Sequence, residues 1–241
     1  MNGPPRMRSG ALRAGPSRRA VPRVPSALGE LPFAEWLTPH DGAWRPDGDH
    51  DTVLFDGIRV QDAQVPGSRF LDCAFTGATL EGCGLRNARF INAWAHETRL
   101  VATDLTGSEW QDCALLGSVA AAVPLAGARL DRVVFRGCKL DGVNFRDGAL
   151  TDVTFEDCLL REVDFGGAAL TRTSFPGSQL TGTRLVGARL EEADLRGARL
   201  GIVIEPGSLR GAVVSPDQLL DLAPLLAEAL GITVEDPTRE G

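Results

Sequence analysis

The side chains that could do chemistry here are three histidines, five cysteines and thirty-two carboxylates. Cys73, Cys83, Cys113, Cys138 and Cys158 would offer thiolate nucleophiles or metal ligands, yet none sits in a CxxC pair, the spacing of zinc and redox sites. All five occupy the same position of a five-residue repeat. At that position a free thiol acts as a small buried hydrophobe. Cys138 and Cys158 would become neighbours if the repeat stacks on itself, which invites a redox reading, but packing is the plainer one. His40 and His50 lie in an N-terminal loop region, and His96 follows Trp94. No HExxH, GxSxG or P-loop occurs. Carboxylate pairs such as Glu156 and Asp157 read as solvated surface. No catalytic residue, metal site or cofactor is therefore expected. An enzyme would have to use a pocket beside His96.

The elements that must position these groups follow one rule. Every fifth residue from Phe55 to Leu200 is Phe, Leu, Val or Trp, except Ala95 and Ala120. Nine of the ten phenylalanines keep this register. Two residues before each centre the side chain is usually small, as at Ala78, Cys83, Ala88 and Ala193. Two residues after it Gly recurs, as at Gly107, Gly117 and Gly127. A period of five fits neither a helix at 3.6 nor a strand at 2.0. It requires a backbone that turns a corner at each repeat, with Gly suited to positive φ there. Four sides close a coil of 20 residues, and coils stack as parallel strands about 4.8 Å apart. Phe55, Phe75, Leu115, Phe135, Phe155, Phe175 and Leu195 should then share one wall. Leu85, Leu105, Leu125, Phe145, Phe165 and Leu185 should line the opposite one. From Phe135 to Leu180 the centres alternate Phe and Leu, which places aromatic ladders on two opposing walls.

The pattern resembles the pentapeptide-repeat family, whose motif is A-(D/N)-L-x-x. The match is closest at Ala188-Arg189-Leu190-Glu191-Glu192, Ala193-Asp194-Leu195-Arg196-Gly197 and Ala198-Arg199-Leu200. The resemblance implies an all-β solenoid, a right-handed quadrilateral parallel β-helix with a short C-terminal helical cap.

Four regions are expected. Residues 1–27 are a disordered basic tail rich in Pro and Arg, with six Arg and no acid among the first 25. It would touch nucleic acid or an acidic surface, or be an inert extension, the plainer reading. Residues 28–52 form an N-terminal cap, in which Leu31–Leu37 with Trp44 cover the first coil. Residues 53–210 are the β-helix, and 211–241 a helical cap and tail. In the cap, Ser215-Pro216-Asp217-Gln218 combines a Ser N-cap, a first-turn Pro and a capping-box Gln. Leu219, Leu220, Leu222, Leu225, Leu226 and Leu230 give an apolar helix that Gly231 can stop and Pro224 should kink or split. Trp94, His96 and Glu97 beside the flawed centre Ala95, and Ala120–Ala122 before Pro124, are either bulges that carry function or tolerated degenerate repeats. The second reading is preferred, because the register resumes in phase after both.

No apolar run approaches a membrane span, and no signal-peptide core opens the chain. The odd number of cysteines suits a reducing compartment, so a cytoplasmic location is expected. The net charge of −7 disfavours direct nucleic-acid binding by the coil. A protein partner is expected instead. The resemblance implies one candidate, because some family members bind DNA gyrase or topoisomerase IV as DNA mimics and protect it from inhibitors. Charge tests that logic. The rod would be roughly 36 Å long, and B-DNA of that length carries about 21 negative charges. Residues 51–200 hold 20 acids and 16 bases, a net of −4. A uniform mimic is not supported. A local acidic patch is available at Glu191, Glu192, Asp194, Glu205, Asp217 and Asp221, and related proteins dimerise through C-terminal helices, which would merge two such patches. The alternative is a plain protein-interaction scaffold with no topoisomerase role.

Overall fold

The computed structural model describes residues 22–42 and 44–235. Most of the basic tail expected over 1–27 lies outside the described residues. The chain forms a four-walled parallel β-solenoid. Three walls are sheets, one of seven strands and two of eight, and the third wall in chain order is joined by single bridges such as Asn144↔Asp164. Each strand pairs with the equivalent strands of the coils before and after it: Phe135 stands opposite Leu115 and Phe155, and Leu140 opposite Ala120 and Leu160.

The inward rows stack as the alternation of centres requires. Phe135, Phe155 and Phe175 lie face to face with centroids 4.8 and 5.1 Å apart, and Phe145 and Phe165 at 5.1 Å on the opposite wall. Across the core the two ladders meet edge-on, Phe145 to Phe155 at 6.2 Å and 76°. Both geometries are favourable for ring quadrupoles. Each such buried side chain contributes about 1.5–3 kcal/mol of transfer free energy before entropy is subtracted.

The small inward residue does more than leave room. At several of these positions a hydroxyl or thiol donates to the carbonyl of the centre residue 23 positions earlier: Thr103 to Leu80, Ser178 to Phe155, Cys113 to Phe90, Cys158 to Phe135. The cysteines thus serve as buried donors between coils. All five are free and buried.

The corners have positive φ whether or not they hold Gly: Ala122 at 50°, Arg132 at 54° and Glu192 at 53°. Their N–H groups are used by the next coil, as in Arg132 to the Thr151 carbonyl at 3.0 Å. The ladder thus compensates a conformation that costs non-Gly residues roughly 1–2 kcal/mol each. Ala95 and Ala120 sit in straight strands, Trp94–His96 and Val119–Ala121, paired on both sides. Neither is a bulge. The short side chain of Ala95 leaves a cavity of about 40 Å³ among Phe70, Phe75, Phe90, Trp110 and Leu115.

At the N-terminal end the coil reaches back to strand Asp49–Asp51, so His50 fills an inward position opposite Phe70. Its ring stacks on Phe70 at 4.9 Å, and Trp44 packs over Phe55 at 5.5 Å. The segment expected to cover this end alongside Trp44 lies elsewhere. Leu31 and Phe33 pack on the outside of the first wall, against Ala74, Trp94, Ala114 and Leu116. The reason is local: the outward row Leu54, Ala74, Trp94, Ala114 and Val134 is apolar, and the segment removes part of it from water.

At the C-terminal end the pairing slips by one residue between Thr181 and Thr183, and a single helix α1, Pro216–Ala229, follows. Pro224 neither kinks it into two nor ends it. The bond it forfeits would have gone to the Leu220 carbonyl on the solvent side, where Leu220 is 73% exposed and water can substitute. Gly231, at φ 70°, terminates the helix.

Candidate interaction surfaces

With the interior filled by hydrocarbon and self-bonded small residues, any function must act through what the walls and ends display. On the walls, equivalent residues of successive coils become neighbours, so sequence charge converts into ladders running along the rod. One ladder follows the corner between the fourth and first walls: Asp72, Asn92, Asp112, Arg132, Asp152, Arg172 and Glu192. Arg132 pairs with Asp112 at 2.6 Å and Arg172 with Asp152 at 2.6 Å, while Asn92 donates to Asp72 at 2.6 Å. The Arg132 hydrogen bond holds the Asp112 carboxyl below its ordinary range. Other pairs between coils are Arg69–Asp49 at 2.9 Å, Arg86–Asp104 at 3.0 Å, Arg146–Asp164 at 3.2 Å and Arg136–Glu156. The sides of the rod are therefore covered by paired charge and have no single sign.

The C-terminal end differs. The acids expected to form a patch lie on the last coil and its cap. Glu191 and Glu192 end the fourth wall, Glu205 follows the strand Arg199–Val203, and Asp217 and Asp221 are on α1; all five are exposed. Asp194 is half-buried, and both its oxygens accept from the Arg196 guanidinium at 2.8 and 2.7 Å. It contributes least to a patch. Asp217 also occupies the first turn of α1, where a carboxylate favours the helix dipole.

The five leucines of α1 and its C-cap Leu230 divide. Leu222 is buried in the solenoid core and Leu225 and Leu226 pack against it. Leu219, Leu220 and Leu230 are 49, 73 and 65% exposed, and Ile232 and Val234 just beyond are exposed as well. Ser215 and Gln218 form the expected capping box: the Gln218 N–H donates to Ser215 Oγ at 3.2 Å and the Ser215 N–H to Gln218 Oε1 at 2.9 Å. Sequence reasoning missed the second task of Gln218. Its Nε2 donates to the Leu195 and Ala198 carbonyls at 2.6 and 2.8 Å, closing the final coil. A polar residue at the third position of a helix that abuts an open coil was the available signal.

A third surface lies along the first wall. Trp94 is buried beneath the N-terminal segment, its Nε1 donating to the Pro25 carbonyl at 3.0 Å, and its ring stacks on His96 at 5.5 Å. Beside it runs a groove of about 670 Å³, between Pro22–Pro25 and Leu31 on one side and Asp112, Arg132, Asp152 and Arg172 on the other. His96 does not line it, so the pocket an enzyme would need beside that histidine is not provided by this groove. Among the described residues no group of His, Cys, Asp and Glu is arranged to hold a metal ion, and no helix is long and apolar enough to cross a membrane.

Comparison with known proteins matches two family models, described as pentapeptide repeats (8 copies) over residues 61–118 and pentapeptide repeat region over residues 120–185. No curated protein matches. Among solved structures, a trypsin-treated form of QnrB1, a plasmid-mediated fluoroquinolone resistance protein, is 20% identical. The alignment covers 83% of this chain and 99% of that one, with a TM-score of 0.48. HetL, a pentapeptide-repeat protein involved in heterocyst differentiation regulation in the cyanobacterium Nostoc, is 19% identical over 70% of this chain and 89% of its own, with a TM-score of 0.25. Rfr23 of the cyanobacterium Cyanothece is 16% identical over 67 and 91%, at 0.30.

Proposed function

We propose, for a chain that belongs to the pentapeptide-repeat family, a non-catalytic function exercised through its outer surface as a protein-interaction module. The observation that carries this reading is the division of the α1 leucines. A helix needed only to cap the coil would hold Leu222, Leu225 and Leu226 inward and polar residues outward. This one also turns Leu219, Leu220 and Leu230 to solvent, and apolar side chains grouped on one element mark interaction sites.

The finer form of the proposal is a homodimer through α1 whose joined ends present Glu191, Glu192, Glu205, Asp217 and Asp221 as one acidic region, which DNA gyrase or topoisomerase IV would accept in place of DNA. The family resemblance and the concentration of acidic charge at this end support it. Sedimentation equilibrium should give a dimer for the parent chain and a monomer for Leu220→Glu. In a gyrase supercoiling assay, with and without a fluoroquinolone, stoichiometric protein should inhibit or protect, and Glu192→Lys with Asp217→Lys should weaken the effect. No effect at large excess would remove the topoisomerase.

One observation favours the second reading, a scaffold unrelated to topoisomerases. The charge pairs between coils along the sides leave no continuous acidic stripe. Under that reading the dimer persists and the gyrase assay is silent.

A further inference from the structure

We infer that residues 22–37 are a detachable strap, seated in cis on a peptide-docking stripe along the outside of the first wall. The competing occupant is an extended protein segment of the same chemistry, with bulky apolar anchors spaced like Leu31 and Phe33.

The stripe is the first indication. Outward rows on the other walls are mainly polar, as in Asp49, Arg69, Arg89, Glu109 and Arg129 on the fourth. The first wall instead presents Leu54, Ala74, Trp94, Ala114 and Val134 outward. The interior does not need them, because inward-facing centres such as Phe55, Phe75 and Phe135 already fill the core. Leu31 and Phe33 of the strap form a hydrophobic cluster with Ala74, Trp94 and Ala114 of this row, with Leu54 packed against it, separate from the core.

The bonding is the second. Wall strands bond to their neighbouring coils, with the Trp94 N–H on the Cys73 carbonyl and the Ala114 N–H on the Ala93 carbonyl, both within the solenoid. The strap's backbone bonds are local: Ala34 to Leu31, Trp36 to Phe33, Leu37 to Ala34. Its release breaks no rung of the wall. The strap is held by Leu31, 6% exposed, and Phe33, 4% exposed, and by two hydrogen bonds, from Trp94 Nε1 to the Pro25 carbonyl and from Arg136 Nη2 to the Pro22 carbonyl at 3.4 Å.

Those two bonds define what fits. A buried indole N–H needs an acceptor, so an occupant must bring one to Trp94; Arg136, which also pairs with Glu156, has a guanidinium N–H left to donate to a second carbonyl. Pro25 and Pro22 are three residues apart, while Trp94 and Arg136 lie two coils apart, about 9.6 Å along the rod. Three residues at the polyproline rise of roughly 3.1 Å span about 9.3 Å. The carbonyl spacing of an extended, proline-compatible segment therefore matches the coil spacing. Three residues of helix, rising about 1.5 Å each, would span only about half that distance.

The test uses the full chain carrying Leu31→Asp and Phe33→Asp, and a fluorescein-labelled peptide of residues 22–37. The variant should keep its far-ultraviolet β spectrum and bind the peptide saturably by anisotropy. The parent chain should bind at least about tenfold more weakly, because its tethered strap competes at high effective concentration. Peptide carrying the same two substitutions should not bind. Loss of the β spectrum in the variant, or a folded variant that binds no peptide, overturns the proposal. Hydrogen exchange on the unaltered protein gives an independent reading: the amides of Ala34 and Leu37 should exchange much faster than those of Trp94 and Ala114. Equal protection would make the strap part of the cooperative fold and overturn the proposal as well.

Discussion

At the scale of single residues, His40 and His50 are the groups whose behaviour the sequence hid. Their rings lie 5.7 Å apart among Trp44, Phe55 and Phe70, and the Nε2 of each is buried without a partner. Burial pushes both pKa values below the ordinary 6.5; Asp41, 3.9 Å from His40, and Asp49 near His50 oppose the shift. The unfolded chain then takes up protons below about pH 6.5 that the folded chain resists. Stability should be level above pH 7 and fall as pH drops through 6.5. Thermal melts from pH 8 to 5 should show this for the parent and a flatter profile for His50→Phe, which extends the Phe70–Phe90 stack. A second prediction concerns Ala122, held at φ 50°. Ala122→Gly should raise stability by about 1 kcal/mol, measured by urea denaturation; a loss would mean the corner is unstrained. The centres and small positions of the coil could be read from a period of five because one residue type recurs. His50 could not, because a lone imidazole in a hydrocarbon row breaks the pattern that identifies the row.

At the scale of elements, α1 was legible in its start and its leucines, since a capping box and a Ser-Pro entry are local signals. Its continuity through Pro224 was not, because that depends on which side of the helix faces water. Nor was the link from Gln218 to the last coil, which joins residues 20 and 23 positions apart. Gln218→Ala removes the box and leaves the Leu195 and Ala198 carbonyls without that donor. It should cost about 2–3 kcal/mol and lower the melting temperature, whereas Asp221→Ala on the same helix should change little. The seat of the N-terminal strap escapes the sequence for a comparable reason: its amphipathic character is visible, but the outward apolar row that receives it is assembled from one residue of each successive coil.

At the scale of the whole molecule, the rod is a sum of coils, each bonded only to its neighbours. Duplicating residues 136–155, one full coil of the regular stretch, should give a folded protein longer by about 4.8 Å, measurable by small-angle scattering, with the Phe ladders unbroken. Duplicating the same stretch short of its final residue should instead lower stability relative to the 20-residue insertion, since one coil would lose a Phe centre and its pairing would slip as it does between Thr181 and Thr183. The candidate acidic end was readable as composition, yet the pairing of Asp194 with Arg196 and the neutral sides emerge only once coils are stacked.

The slip between Thr181 and Thr183 then acquires a meaning for length. A stack of equal coils is a one-dimensional crystal, and nothing within a crystal says where to stop. A missing residue in the last coil is a dislocation that the stack absorbs: Gly182 is passed over in the pairing, and beyond it Ala212–Val213 still pair with Ala193–Asp194 at an offset of 19 rather than 20. Growth by duplication upstream keeps the count of 20, while the coil past this point already runs one residue short. The lattice thus loses its exact count just before the helix that covers it, and the end of the rod is marked by a change of spacing as well as by a lid.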